Sequence, residues 1–322
     1  MLGTYQQLEG AKLPPTATAR QRPLRYWVVV LTRNGAASIA KTLESIFKQS
    51  LKPSCVVTVD DGSTDQTPRV IEVAKKATST PVVVIRLPDT GYDIRRVEAN
   101  INRASSRIQR TRRQYDYFMI SSDDCIFPPN YCSSLIQRME ENRNIAVSSG
   151  DFTPISEYAK LPQGTGRIIR ESFWKQIGAR YPVGYGAETW LMIKARQMGY
   201  QCVNYQEIRF EHLRPSGAMH RHKHWGISMR ALGDQPLTIL FRFASAVKHR
   251  EPITFANWLT IFTEYFLPVA YQHDPYLLRY DKDLLQFVSE QQLETLLNAR
   301  KIKRFRGLVA ALWRVLSRIS GT

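Results

Sequence analysis

The chain contains 322 residues, of which 43% are hydrophobic and 23% charged, and it carries 45 Lys and Arg against 28 Asp and Glu. These proportions exclude a wholly disordered chain and a fibrous repeat, and the length suits one large domain with an appendage or two modest domains. The formal net charge of +17 indicates an anionic partner: nucleic acid, an acidic membrane surface or a phosphorylated small molecule. Composition alone does not choose among these three.

Strand and helix patterns alternate from residue 24 onwards. Continuous runs of β-branched residues predict strands buried on both faces, and apolar residues at three- and four-residue spacing predict helices between them. This alternation is typical of an α/β fold with a largely parallel central sheet. The predicted elements are a strand at 26–31, a helix at 36–49, a strand at 55–59, a helix at 65–76, a strand at 82–85, a helix at 97–110 and a strand at 115–120.

The composition changes near residue 225. Beyond this point strand patterns fade, and aromatic-rich helical patterns occupy 227–271 and 283–319. We therefore expect a flexible tail at 1–23 and an α/β domain at 24–225. Residues 226–322 are expected to form a helical C-terminal extension of this fold.

Cysteine usage and the apolar segments bear on localisation. The four cysteines are scattered without a CxxC pair, which is typical of a reducing compartment. Residues 1–23 lack the apolar core of a signal peptide. The longest apolar stretch, 253–271, is interrupted by Asn257, Glu264 and Pro268, so we expect no transmembrane helix. We predict a cytoplasmic protein, either free or peripheral on the cytoplasmic face of the membrane.

Two acidic pairs directly follow predicted strands. Asp60 and Asp61 follow the second strand, and Asp123 and Asp124 follow the last one. Parallel sheets bind ligands beyond the carboxyl ends of their strands, so both pairs are candidates for a ligand site. Two structural alternatives remain open: Asp61 is a turn or capping residue, and the second pair caps the helix that begins near Pro129.

Several motifs follow one another in a specific order, although any one of them is weak. They are Val30-Leu-Thr-Arg-Asn34, Thr42-Leu-Glu-Ser-Ile46, Val59-Asp-Asp-Gly-Ser-Thr-Asp65, Ser122-Asp-Asp124, Gly186-Ala-Glu188 and His212. Together they resemble the family 2 glycosyltransferases of the GT-A (nucleotide-diphospho-sugar transferase) fold, and the resemblance covers residues 24–225. It implies an inverting, metal-dependent enzyme that transfers a sugar from a UDP-, GDP- or TDP-sugar to a hydroxyl acceptor.

The resemblance implies that Thr32, Asn34, Asp61, Arg96 and Asp123 bind the nucleotide-sugar. The backbone near Thr32 and Asn34 would contact the ribose, and Asp61 would accept a nucleobase N–H. Arg96 would lie over the nucleotide, and Asp123 would lie near the sugar. Without the resemblance, Arg96 is a solvated helix charge.

The resemblance also assigns a divalent cation, Mn²⁺ or Mg²⁺, to Asp124 and His212. A cation of this kind stabilises the charge that develops on a departing diphosphate, and an imidazole ligand favours Mn²⁺ over Mg²⁺. This chain has Ser122 where the family often has an aspartate, so a ribose contact at that position is not implied.

Glu188 is the candidate catalytic base. Inverting transfer needs a carboxylate that takes the proton of the acceptor hydroxyl. Ala187 stands where the family motif has its first acidic residue, so the resemblance assigns the role of base to Glu188. The structural alternative is that Glu188 only stabilises the first turn of a helix through the helix dipole. Tyr185 and Trp190 are candidates for stacking on the acceptor sugar and equally for the core.

Basic residues are concentrated in two segments. Arg214, Arg221 and Lys223 belong to a loop suited to a diphosphate. Residues 301–319 interleave basic and apolar side chains at helical spacing, which predicts an amphipathic helix that lies on an anionic membrane or packs on the protein's own core. Membrane binding would favour a lipid-linked glycan or polysaccharide precursor as the acceptor.

Two other functions compete with this interpretation. A nucleic-acid-binding module would carry interleaved basic and aromatic residues on the α/β half, whereas the densest such segment is at the C-terminal end, so we expect no nucleic-acid partner. A catalytically inactive GT-A-like interaction protein is the second alternative.

Overall fold

The structure is a computed structural model. It describes residues 23–111, 114–153, 161–214, 224–248 and 255–298. The described chain forms two compact units. We call them the sheet unit, whose residues lie within 23–182 and 198–214, and the helical unit, whose residues lie within 183–197 and 224–298. The tail predicted at 1–23, apart from Pro23, and the basic helix predicted at 301–319 lie outside the described residues.

A mostly parallel sheet forms the centre of the sheet unit. Its strands are β1 (Tyr26–Thr32), β2 (Cys55–Asp60), β3 (Val82–Arg86), β4 (Tyr117–Ser122), β5 (Cys125–Ile126), β6 (Ile145–Thr153), β7 (Arg167–Arg170) and β8 (Gln201–His212). Their order across the sheet is β3-β2-β1-β4-β7-β6-β8-β5. The neighbouring strands β3, β2, β1 and β4 are parallel, whereas β7 and β5 run antiparallel to their neighbours. The predicted α/β fold is confirmed.

Helices cover both faces of this sheet. The helices of the sheet unit are α1 (Ile39–Phe47), α2 (Thr67–Lys76), α3 (Val97–Arg110), α4 (Tyr131–Glu141) and α5 (Glu171–Gln176). Val28 of β1 lies in a buried cluster with Leu43 of α1 and Leu135 of α4. On β4, Phe118 contacts Trp174 of α5 with ring centroids 5.0 Å apart, and the indole of Trp174 donates to Ser105 of α3. Burial on both faces explains why the strands are continuously apolar.

The strand register brings the polar ends of three strands together. β1 pairs with β2 so that Thr32 lies opposite Asp60, and β1 pairs with β4 so that Leu31 lies opposite Ser122. The short strand β5 pairs with the end of β8, which places Cys125 opposite His212. One edge of the sheet therefore collects side chains from four separate parts of the sequence.

The helical unit contains α6 (Ala187–Gln197), α7 (Trp225–Ala231), α8 (Pro236–Lys248), α9 (Phe255–Phe266) and α10 (Lys282–Asn298). Trp190 of α6 packs on a cluster that includes Leu232 and Leu284, so α6 shares a core with the C-terminal helices. A second cluster joins Trp258 and Ile261 of α9 to Phe243 of α8. Within the described residues, we find no helix with the length and apolar character that crossing a bilayer requires.

Candidate functional site

Asp123 and Asp124 form a buried acidic pair in the turn between β4 and β5. Both carboxylates accept hydrogen bonds from one guanidinium, because Arg214 donates through Nε to Asp124 Oδ2 at 2.7 Å and through Nη2 to Asp123. The Thr32 hydroxyl donates to Asp123 Oδ2 at 2.5 Å. The Ser122 hydroxyl donates to Asp124 Oδ1 at 2.6 Å, so one cation and two hydroxyls hold the two adjacent carboxylates in a buried turn.

The two carboxylates differ in their electrostatics. Burial raises the pKa of Asp123, and the opposing effects of Thr32 and Arg214 do not offset it. Burial also disfavours the charged form of Asp124, but hydrogen bonds from Ser122 and Arg214 outweigh it and hold the pKa of Asp124 below its usual value. Asp124 is thus the member of the pair that keeps its negative charge more readily.

His212 and Cys125 complete a group of potential metal ligands around Asp124. His212 Nε2 lies 3.5 Å from Asp124 Oδ1, and one donor atom from each of Asp124, Cys125 and His212 lies within 4.8 Å of the others. A carboxylate and an imidazole suit a divalent cation, and the bridging guanidinium of Arg214 shows that a positive charge is accommodated at this pair. The residues present therefore fit a divalent cation.

Asp61 lies in a second cluster, at the end of β2. Its carboxylate oxygen Oδ2 accepts hydrogen bonds from Nη2 and Nε of Arg96 at 2.8 Å and 3.2 Å. The same guanidinium donates to the Thr90 hydroxyl at 2.6 Å and to the Gly91 carbonyl. Arg96 thereby ties the end of β2 to the segment that follows β3, and the structure brings these two predicted residues into direct contact.

Arg33 completes this cluster, although the sequence pattern does not single it out. Its guanidinium donates to the backbone carbonyls of Asp61 and Gly62 and, at 2.7 Å, to Asp89 Oδ1. Asp89 Oδ1 also accepts from the Gly91 N–H at 2.9 Å. Arg33, Asp61, Arg96, Gly91 and Asp89 thus form a closed ring of hydrogen bonds. The only feature of the sequence that could have indicated Arg33 is its position as a charged residue directly after a buried strand.

Close backbone approach joins the two clusters at the end of β1. Gly35 leaves room for the Asp123 carboxylate, because a Cβ at this position would come within 2.0 Å of Asp123 Oδ2. Asn34, with φ of 50°, accepts the Thr64 N–H on its side chain, and its own N–H donates to the Ser63 hydroxyl. Thr32 and Asn34 therefore connect the acidic pair to the end of β2.

The remaining predicted residues divide between the helical unit and the chain outside the described residues. Glu188 is exposed in the first turn of α6. Trp190 is partly buried in the core of the helical unit, and Tyr185 is 4% exposed and donates to Asp274 at 2.7 Å, so both contribute to packing. Arg221 and Lys223 lie outside the described residues.

Comparisons with solved structures show the same fold. A mannosyltransferase, PcManGT from Pyrobaculum calidifontis in complex with GDP-Man and Mn²⁺, is similar with a TM-score of 0.52 and 17% identity over 94% of this chain and 85% of that one. S. aureus TarS 1–349 in complex with UDP-GlcNAc has a TM-score of 0.51 and 14% identity over 92% and 89%. These chains have the fold expected from the resemblance, which is confirmed as GT-A.

Sequence comparisons identify the family. A curated relative, the uncharacterized glycosyltransferase YwdF of Bacillus subtilis (strain 168), is 24% identical over 199 residues, which are 62% of this chain. The match spans 58% of the length of that relative. The model of the family "Glycosyl transferase family 2" matches residues 27–187. This segment contains the Asp61 cluster and the Asp123–Asp124 pair, and it ends at the first residue of α6. The chain belongs to glycosyl transferase family 2.

Proposed function

We propose that the protein is an inverting glycosyltransferase that moves a sugar from a nucleoside diphosphate sugar to a hydroxyl acceptor with the help of a divalent cation. One observation carries the proposal: the register of β1, β2 and β4 places the Asp61 cluster and the buried Asp123–Asp124 pair along one edge of the sheet. Membership of family 2 and the donors found with PcManGT and TarS support it.

The Asp61 cluster is the proposed nucleoside end of this site. Asp61 and Arg96 are 13% and 18% exposed at their side chains, so their polar groups are held in place and partly shielded from water. A fixed carboxylate can accept a nucleobase N–H, and a planar guanidinium can lie against a base. Thr32 and Asn34, at the adjoining end of β1, are proposed to contact the ribose through their backbone.

The acidic pair is the proposed diphosphate end. Asp124 and His212 would hold the cation, Mn²⁺ or Mg²⁺, which when bound stabilises negative charge on the leaving diphosphate. Asp123 would face the sugar. Arg214 bonds to both carboxylates and carries a permanent positive charge that can pair with phosphate oxygens. Arg221 and Lys223 are proposed to assist it.

Glu188 is the proposed base. In inverting transfer the acceptor oxygen attacks the anomeric carbon as its proton passes to a carboxylate, and the diphosphate departs from the opposite face. Glu188 presents an exposed carboxylate at the amino end of α6, where the helix dipole stabilises negative charge. Trp190 and Tyr185 remain candidates for an acceptor contact, although their burial favours a structural role.

A peripheral membrane position, with a lipid-linked acceptor, is the finer part of the proposal. Exposed apolar side chains on α8 and α9 support it, since Leu240, Phe241, Leu259 and Phe266 are each at least 40% exposed. The basic segment at 301–319 would add electrostatic attraction to an anionic leaflet.

The donor class can be identified by thermal stability. We expect one of UDP-, GDP- or TDP-sugars to raise the Tm, with a larger rise when Mn²⁺ or Mg²⁺ is present, because a ligand that binds only the folded state stabilises it by about 2.7 kcal/mol at 100 times its Kd. Asp124→Asn should remove the metal-dependent part of the rise, whereas Asp283→Asn on α10 should retain it. No shift with any donor would contradict the proposal.

Arg33→Met should weaken donor binding. Loss of hydrogen bonds from a charged donor costs about 1.5–3 kcal/mol each, so we expect the donor KM to rise about tenfold or more while kcat changes little. Hydrogen exchange should also accelerate at the Gly91 amide, which bonds to the Asp89 carboxylate that Arg33 holds. Arg69→Met, at an exposed position on α2, is the matched control. An unchanged KM would refute the positioning role of Arg33.

Glu188→Gln should abolish transfer and leave donor binding intact. The amide keeps the size of the side chain but cannot accept the proton, and loss of a positioned base typically costs about 10²–10⁴-fold in rate. Radiolabelled sugar transfer measures turnover, and calorimetry measures donor affinity. Glu171→Gln, in the first turn of α5, is the control for loss of an acidic residue at a helix start. Undiminished turnover in Glu188→Gln would exclude this base.

Neutralising the basic segment should weaken binding to anionic vesicles. Each basic residue near an anionic surface contributes about 1 kcal/mol, so the partition coefficient should fall at least about tenfold. The variant replaces these residues by Gln: Lys301, Lys303, Arg304 and Arg306. Its control has the same net charge and replaces exposed residues of the sheet unit: Lys41, Lys52, Arg69 and Lys75. Equal sedimentation of both variants with vesicles would contradict a membrane role for the segment.

A further inference from the structure

Cys125 contributes a sulfur atom to the group of donor atoms around Asp124. Its Sγ lies 3.9 Å from Asp124 Oδ1, the oxygen that also faces His212 Nε2 at 3.5 Å. Arg214 bonds to the other oxygen, Oδ2. Oxygen, nitrogen and sulfur ligands therefore converge on the side of Asp124 that the guanidinium does not occupy.

The backbone fixes the position of this sulfur. Cys125 and His212 are direct partners in the antiparallel pairing of β5 with β8, so their side chains project from the same face of the sheet. Cys125 is fully buried, and its Sγ lies 3.3 Å from the Ser122 hydroxyl and 3.2 Å from the Thr165 hydroxyl. The thiol is therefore held in place between the last residue of β4 and the loop that precedes β7.

The chemistry of the three ligands selects among cations. Mg²⁺ and Mn²⁺ favour oxygen ligands, whereas Zn²⁺ and Co²⁺ accept thiolate, imidazole and carboxylate together. We propose that Asp124, Cys125 and His212 form a binding site for thiophilic divalent cations, Zn²⁺ above all, and that the Cys125 sulfur makes the site prefer them to Mn²⁺ and Mg²⁺. Binding forms a metal–sulfur bond and releases the thiol proton to solvent.

These three side chains include both residues proposed to hold the catalytic ion, so an effect of Zn²⁺ on sugar transfer rests on the proposed function. The binding of Zn²⁺ to the protein does not rest on it and can be tested by itself. A cation bound to all three side chains uses the carboxylate of Asp124 and the imidazole of His212. Zn²⁺ is therefore expected to compete with Mn²⁺ for these ligands, and the Cys125 sulfur is expected to favour Zn²⁺. Metal binding alone is measured, without donor or turnover.

Cobalt spectroscopy tests the sulfur ligand directly. Titration of the full-length, metal-free chain with Co²⁺ should produce a sulfur-to-cobalt charge-transfer band in the near ultraviolet. Cys125→Ser and Cys125→Ala should lose the band, whereas Cys132→Ser, which changes another buried thiol, and Cys202→Ser, which changes the partly exposed one, should keep it. Saturation of the unaltered chain with Co²⁺ without this band would overturn the proposal, whether or not any variant folds.

Calorimetry tests the preference. Cys125→Ser should lower the affinity for Zn²⁺ about tenfold or more and change the affinity for Mn²⁺ less than about twofold. Circular dichroism checks that the variant is folded. Unchanged Zn²⁺ affinity in folded Cys125→Ser would also overturn the proposal. Mn²⁺-dependent stabilisation by a donor, measured on the unaltered chain, reports on the proposed function separately, so either can fail alone.

Discussion

The structure depends on how two adjacent buried carboxylates are compensated. Asp123 and Asp124 lie in a turn at the end of β4, where a low-dielectric surrounding makes uncompensated charge costly. Compensation comes from distant parts of the chain, since Thr32 ends β1 and Arg214 follows β8. The sheet register that joins these strands is therefore also what makes the acidic turn stable.

The same compensation supports the proposal that the turn binds a cation and the diphosphate of the donor. A pair of carboxylates that already accommodates a guanidinium offers a divalent ion a prepared negative site, and Asp124 keeps its charge because Ser122 and Arg214 donate to it. In the proposed function, Arg214 would gain an anionic partner beyond Asp123 and Asp124 when phosphate oxygens approach. At the end of β2, Arg96 and Arg33 hold Asp61 in a closed ring of hydrogen bonds.

Local patterns predicted the parallel strands well, because strands covered on both faces leave a continuous apolar run. They also predicted that both acidic pairs follow the carboxyl ends of strands, and the structure places Asp61 after β2 and Asp124 after β4, on either side of β1. The contact between His212 and Asp124 was implied only by the family resemblance, since it requires the non-local pairing of β8 with a strand of two residues. Sequence patterns do not single out Arg33 and Cys125, because the roles proposed for them depend on partners 56 and 87 positions away, Asp89 and His212.

The central claim is that the buried acidic pair binds a divalent cation and that a nucleoside diphosphate binds together with this cation. Binding of Mn²⁺ tests the claim most directly. Electron paramagnetic resonance of free Mn²⁺, recorded during titration with the protein, measures this binding without any acceptor. The account predicts saturable binding that tightens when the matching nucleoside diphosphate is added and is lost in Asp124→Asn and His212→Gln. Binding that is unchanged in both folded variants would contradict it.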